Sequence, residues 1–403
     1  VFPGWLTFLA PRTSHLAPRT SHLAPRTSHL APRTSHLAPR TSHLAPRTSH
    51  LAPCRSFAIL LSMELHQAKF WESAGDSKVR CQLCRFRCVI ADGRRGRCGV
   101  RENRGGILYS LVYGQTISEN VDPIEKKPLY HFHPGSRSLS IATVGCNFHC
   151  LHCQNHEISQ WPHERSGIPG TAMSPQDIVG HAKQSNSTSI AYTYTEPTIF
   201  FEYAYDTAVA ARVAGIKNVF VTNGYTTTGA LEEIAPYLDA ANVDLKGFSE
   251  RAYREVTGAS LAGVLECLKD YRRLGIWLEV TTLVIPGHND SRDELRRIAD
   301  VISGELGAEV PWHISAFYPT YKMQDRPPTS LATLLMAREI GRESGLHYVY
   351  LGNVTQADAG DTICPGCGQT VIRRRRLQFI EMAISDQQCQ YCQHAIAGVG
   401  LGT

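Results

Sequence analysis

Cys146, Cys150 and Cys153 lie in the run Thr143-Val-Gly-Cys-Asn-Phe-His-Cys-Leu-His-Cys-Gln-Asn155, directly after an apolar stretch that reads as a strand. A Cys-x3-Cys-x2-Cys spacing brings three thiolates around one iron–sulfur cube and leaves the fourth iron without a protein ligand. Ferredoxin clusters close all four corners with cysteine. An open corner can take a substrate or cofactor, much as catalytic metal sites keep one position free. The alternative is a zinc knuckle, or an ordinary cluster whose fourth ligand comes from elsewhere in the chain.

Two further cysteine groups have metal-ligand spacing. Cys364-Pro-Gly-Cys367 and Cys389-Gln-Tyr-Cys392 are paired knuckles separated by 21 residues. This is zinc-ribbon spacing, and a closed four-cysteine site would stabilise a tail with little core of its own. Between the knuckles, Arg373-Arg-Arg-Arg376 offers positive charge to nucleic acid or an acidic protein face. On a hairpin half of those side chains would merely face water, which is the favoured reading. Near the other end, Cys81, Cys84, Cys88 and Cys98 fall within 18 residues, in a turn-rich segment containing Gly93, Gly96 and Gly99. Zinc and an auxiliary four-iron cluster both fit, and the compact, knuckle-like segment favours zinc. Cys267 stands alone on an expected helix and reads as a buried thiol. His131 and His133, just before Pro134-Gly135, read as loop histidines rather than metal ligands.

The first 62 residues stand apart. Leu9-Ala-Pro-Arg-Thr-Ser-His15 recurs unchanged at 16–22, 23–29, 30–36, 37–43 and 44–50. A proline every seven residues with one leucine per repeat builds neither a continuous helix nor a core. The repeats are expected to be translated tandem DNA or a mis-called start, with Met63 as the true beginning; a basic targeting leader is the runner-up. The stretch 56–62 is too short to span a membrane. Residues 1–62 hold seven arginines and no acids, so the formal +5 of the 403-residue chain becomes −2 for residues 63–403. That balance gives no reason to expect nucleic acid or an anionic membrane as a partner. Clustered cysteines fit metal ligation in a reducing cytoplasm better than secreted disulfides.

These chemical groups need elements to position them. From 136 to 355, strand patterns at 139–145, 189–195, 217–222, 240–245, 277–285, 311–317 and 347–351 alternate with helical stretches near 175–185, 198–214, 228–238, 250–274, 291–306 and 330–344. Pro175 after Ser174 and the acids after Ser291 are helix starts, and Gly215, Gly275 and Gly345 fall where helices should stop. Strands and helices at this spacing imply parallel βα units. The economical closure is a partial, roughly six-stranded (β/α) barrel, with its chemistry at the carboxyl ends of the strands. The expected domains are a repeat leader over 1–62, a cysteine-rich segment over 63–135, the barrel over 136–355 and a zinc-ribbon-like tail over 356–403.

The cysteine motif, together with Cys98-Gly-Val-Arg-Glu-Asn-Arg-Gly-Gly106, Val121-Asp-Pro-Ile-Glu-Lys-Lys-Pro128, Tyr192-Thr-Tyr-Thr-Glu-Pro-Thr198 and Trp312-His-Ile-Ser315, resembles the radical SAM enzyme of the AmmeMemoRadiSam system. That enzyme is a relative of the pyruvate formate-lyase activating enzymes. His152 departs from the wider superfamily, which usually has Phe or Tyr before the third cysteine; an imidazole still offers adenine a flat face.

The resemblance implies a [4Fe-4S] cluster on Cys146, Cys150 and Cys153 that binds S-adenosylmethionine (SAM). It implies reductive cleavage to methionine and a 5′-deoxyadenosyl radical, which takes hydrogen from a substrate. It further implies an external electron donor and Memo and AMMECR family proteins as partners. Glu196 stands where that superfamily has a glycine-rich loop and is expected to bind the SAM ammonium directly, the alternative being a pair with a lysine. Asn223, in Thr222-Asn-Gly224, is expected at the ribose or methionine moiety. Lys246 is expected at the SAM carboxylate or paired with Asp244. Gly287 would let backbone approach adenine; His288 would face water; His313 is a core histidine or a substrate contact. The substrate is open between a protein backbone, as for a glycyl-radical activase, and a small molecule. A non-enzymatic zinc or electron-transfer module would leave the open corner without purpose.

Overall fold

The computed structural model describes residues 65–402; the repeat leader expected over 1–62 lies outside them. An eight-stranded sheet organises the chain. In sequence order its strands are β1 (Ser118–Pro123), β2 (Arg137–Ala142), β3 (Ser189–Tyr192), β4 (Lys217–Thr222), β5 (Ala240–Asp244), β6 (Trp277–Val284), β7 (Trp312–Ala316) and β8 (Val349–Gly352). They pair consecutively across the sheet. The run β2 to β8 is parallel, and β1 is antiparallel to β2. This gives seven parallel strands, one more than six, and adds a reversed strand from the segment before the expected barrel boundary at 136.

Helices fill every crossover: α1 (Pro175–Gln184), α2 (Phe201–Val213), α3 (Thr228–Ile234), the pair α4 (Glu250–Thr257) and α5 (Leu261–Arg273), α6 (Arg292–Val301) and α7 (Leu331–Glu343). Strands covered by helices on one side and by the barrel interior on the other are buried on both faces. They accordingly read as near-continuous buried runs, as all four residues of β3 do. The helix starts follow side-chain caps: the Ser174 hydroxyl accepts from Asp177 N–H at 3.2 Å, and Asp177 accepts from Ser174 N–H at 2.8 Å.

The single helical stretch expected over 250–274 is two helices. Gly258 ends α4 in the left-handed conformation (φ 76°), and Ser260 restarts the chain by accepting from Gly263 N–H. The break frees the last carbonyls of α4. Those of Val256 and Thr257 accept the N–H groups of Leu151 and His149, each at 3.0 Å, and so anchor the cysteine loop.

Short antiparallel hairpins before β1 share one continuous core with the barrel. Arg101 and Glu202, each about 2% exposed, join them to α2 at 2.9 Å. Beyond β8 come β9 (Thr362–Ile363), β10 (Thr370–Arg375) and β11 (Gln378–Met382), an antiparallel sheet. The tail does not rest on metal alone: Val371, Ile372, Ile384, Ile396 and Leu401 pack on Tyr130, Tyr348 and Tyr350. Arg373, Arg375 and Arg376 face water as expected. Arg374 instead is buried, pairs with Glu125 and donates to the carbonyls of Gly360 and Tyr130.

The expected loop histidine His131 is wholly buried at this junction. Its Nδ1 meets the Ala397 carbonyl at 2.6 Å, which can only accept, so Nδ1 carries the proton. Nε2 must then accept from the Tyr350 hydroxyl at 2.6 Å. Tyr350 in turn accepts from Thr362, and Thr362 from Arg374. A one-directional chain of donors thus runs from tail to barrel. His313 is the core histidine of the two alternatives: its Nε2 lies 2.7 Å from Glu279, whose carboxylate also accepts from Tyr130 N–H, His131 N–H and Trp277.

Candidate functional site

The residues expected to carry chemistry gather at the carboxyl ends of adjacent strands. Cys146 follows β2, Glu196 follows β3, Asn223 follows β4 and Lys246 follows β5. Cys146 and Cys150 are buried and Cys153 partly so. Gly145 turns the chain into the loop at φ 96°, a backbone that favours glycine. A Cβ there would also meet Val100 Cγ1 at 2.7 Å and the Cys98 carbonyl at 2.9 Å. The loop is held from inside by Gln160, which donates to the Phe148 carbonyl at 3.2 Å and lies 2.8 Å from His149 Nδ1. Ser159 lies 3.3 Å from the Cys153 sulfur.

Asn223 is drawn to the first cysteine. Its amide nitrogen donates to Asn147 Oδ1 at 2.7 Å and lies 3.8 Å from the Cys146 sulfur. Lys246 pairs with Asp244 at 2.7 Å, the expected alternative to a ligand contact. Burial would lower its pKa, but Asp244 and the Cys150 thiol outweigh that and raise it, keeping the ammonium charged beside the cysteines. Burial pushes the Cys150 thiol up to about 12, and Lys246 opposes the shift.

Glu196 departs from its expected role. It is fully buried, and among the described residues it pairs with no lysine. Oε1 accepts from Thr198 N–H, the Thr198 hydroxyl and the Thr222 hydroxyl at 3.0, 2.6 and 2.7 Å. Oε2 accepts from Asn223 N–H at 2.8 Å. Burial raises its pKa against these four donors. In this arrangement Glu196 positions Asn223 rather than presenting an open face to a ligand.

Several buried polar atoms around the cysteines have no partner among the described residues: both ring nitrogens of His152, Asn223 Oδ1, Asn147 Nδ2 and the Tyr253 hydroxyl. Burial, with Lys246 and His288 nearby, pulls the His152 pKa down to about 3, so the ring is neutral. Unpaired donors and acceptors in a closed setting are costly unless something completes them. Their mixture fits a ligand with amino, carboxylate, hydroxyl and heteroaromatic groups, as SAM has. Asn289 steadies this rim by donating to the carbonyls of Lys246 and Leu283, so the Gly287–His288 turn is tied to the loop after β5. Asn147, Tyr253 and Gln160 escaped sequence reasoning; only Asn147, inside the cysteine run, carried a local signal.

The other cysteine groups differ from one another. Cys364, Cys367, Cys389 and Cys392 have all four sulfurs within 4.8 Å of one another. Cys364–Cys392 and Cys367–Cys389 are 3.6 and 3.8 Å apart. Among the described residues, no three of Cys81, Cys84, Cys88 and Cys98 gather that closely.

The profile of the radical SAM superfamily matches residues 140–300, from β2 to α6. The chain belongs to the radical SAM superfamily, and its relatives include activating enzymes. It shares a family with uncharacterized protein MJ0808 of Methanocaldococcus jannaschii, 45% identical over 334 residues that span 82% of this chain and 99% of that protein. The pyruvate formate-lyase-activating enzyme of Clostridium pasteurianum is 22% identical over 45% of this chain and 76% of its own. Among solved structures, a radical SAM methyltransferase from Sphaerobacter thermophilus aligns with TM-score 0.43 and 16% identity, over 59% of this chain and 71% of that one.

Proposed function

We propose that this chain cleaves SAM reductively at a [4Fe-4S] cluster held by Cys146, Cys150 and Cys153, and abstracts hydrogen from a substrate. The observation that carries the reading is the ring of unpartnered buried polar atoms beside three cysteines at the carboxyl ends of β2 to β5. When bound there, the cluster supplies the electron for SAM cleavage. The chain's own residues orient and enclose. Asn223 and Asn147 present an unpaired carbonyl oxygen and an unpaired amide to the methionine or ribose groups, and Glu196 fixes Asn223 in place. Lys246 keeps a positive charge beside Cys150, and neutral His152 gives adenine a flat face with two open nitrogens. Burial of the loop keeps water and stray hydrogen donors away.

Membership of the AmmeMemoRadiSam system, with Memo and AMMECR family partners, is supported by the motifs around Cys98, Asp122, Glu196 and His313. Abstraction from a protein backbone is the second reading, favoured by the likeness to a pyruvate formate-lyase-activating enzyme. We further assign zinc to Cys364, Cys367, Cys389 and Cys392, because tetrahedral Zn–S bonds place sulfurs about 3.8 Å apart. Anaerobic protein reduced with dithionite should convert SAM to 5′-deoxyadenosine and methionine. Changing Cys146, Cys150 or Cys153 to alanine should remove iron and cleavage together; normal turnover in any one of them refutes that residue as a ligand.

A further inference from the structure

We infer that Cys81, Cys84, Cys88 and Cys98 hold a second iron–sulfur cluster, a four-iron cube closed by cysteine at every corner. The four residues line one cavity together with Ile90 and Arg101. Local structure aims them inward. Cys81 ends a hairpin strand and donates its N–H to the Cys88 carbonyl at 2.9 Å. Cys84 sits at the hairpin tip, bridged to Thr226 after β4. Cys98 lies in the tight turn closed by Gly99 N–H on the Gly96 carbonyl at 2.9 Å.

Spacing decides the metal. A single zinc draws its four sulfurs to within about 3.8 Å of one another, as the tail's cysteines stand. The thiolates of a four-iron cube are held roughly 6 Å apart, because iron and sulfide stand between them. Among the described residues, the 81–98 set lines a cavity without that close approach. A second observation points into the same cavity. Arg101 is 2% exposed; its terminal nitrogens are spent on Glu202 and the Lys69 carbonyl, while its Nε–H has no acceptor among the described residues. A bridging sulfide or cysteine sulfur of the cluster supplies one.

The test uses the full chain with Cys146, Cys150 and Cys153 all changed to alanine, reconstituted anaerobically with iron and sulfide. It should retain about four irons and four sulfides per chain, against about eight of each in the unaltered protein. After one-electron reduction by dithionite it should show the EPR spectrum of a four-iron cluster that SAM does not alter. Adding Cys81→Ser and Cys88→Ser should remove that iron. A triple variant carrying no iron and a second zinc overturns the proposal, as does iron that survives the added serines. If the five-site variant does not fold, the unaltered protein decides: about eight irons supports the second cluster, while about four irons with two zincs overturns it. Cys81→Ser/Cys88→Ser with the signature intact isolates the catalytic reading, since its remaining cluster should respond to SAM. Absence of that response refutes SAM binding and leaves the triple variant's iron count to speak for the second cluster.

Discussion

Glu196 accepts the backbone N–H of Asn223 at 2.8 Å, so a buried carboxylate after β3 sets the position of an asparagine after β4. Glu196→Ala leaves that N–H and the Thr198 and Thr222 donors without their acceptor. We expect a loss of roughly 3 kcal/mol in denaturant unfolding, given the cost of orphaned buried donors. SAM affinity should fall by about tenfold, a loss of about 1.4 kcal/mol from a displaced Asn223. Glu196→Gln should retain part of the stability yet still weaken SAM binding, because its amide N–H₂ faces a donor. Unchanged SAM affinity in both variants would remove the positioning role.

Breaking the Glu125–Arg374 pair from one side should be costly, because both side chains are wholly buried. Arg374→Met strands a buried carboxylate and should cost about 3–5 kcal/mol, whereas Glu125→Leu combined with Arg374→Met should cost much less. Equal losses in the single and double variants would show that the charge is not what matters.

His131 makes stability depend on pH. Burial pulls its folded pKa down to about 4 from an ordinary 6.5. Above pH 6.5 the ring is neutral whether folded or unfolded, and its contribution is constant. Between about 6.5 and 4 the unfolded chain gains a proton that the folded chain refuses, so stability falls, by about 3 kcal/mol in all. His131→Gln keeps a donor and an acceptor but does not titrate. Denaturant unfolding at pH 7 and pH 4.5 should give a smaller difference for this variant; an unchanged difference assigns the slope elsewhere.

The tail's metal should separate cleanly from the catalytic cluster. Cys389→Ser is expected to lose one zinc per chain and to lower the melting temperature. The iron spectrum of the signature site and its response to SAM should remain. Loss of catalytic iron along with the zinc would show that the tail and the barrel mouth are coupled.

Much of the scaffold was legible because local pattern dictates it. Strand β4 has the expected bounds, and β3, β5 and β6 begin at theirs, since buried parallel strands leave contiguous apolar runs. The break at Gly258 was not, because a small-residue run inside an amphipathic stretch resembles helix until its carbonyls find His149 and Leu151, over 100 positions away. Glu196 misled for a related reason: two of its four donors, the Thr222 hydroxyl and Asn223 N–H, come from the next strand end, and spacing along its own loop does not reveal them. The burial of His131 depends on Ala397, 266 residues downstream. In the 81–98 group, spacing admitted both zinc and iron and favoured zinc, because the order of cysteines along the chain does not say how far apart their sulfurs stand.

Gly145 has one further consequence. Its missing side chain is the whole clearance between the loop carrying Cys146 and the turn carrying Cys98. Arg97, next to that turn, donates to the Asn147 carbonyl at 3.1 Å, so the two loops are clasped as well as abutted. A methyl group inserted at that seam would push each loop against the other's cysteines. The wall of one cysteine group is therefore also the wall of the other, and the two loops form a single packed unit.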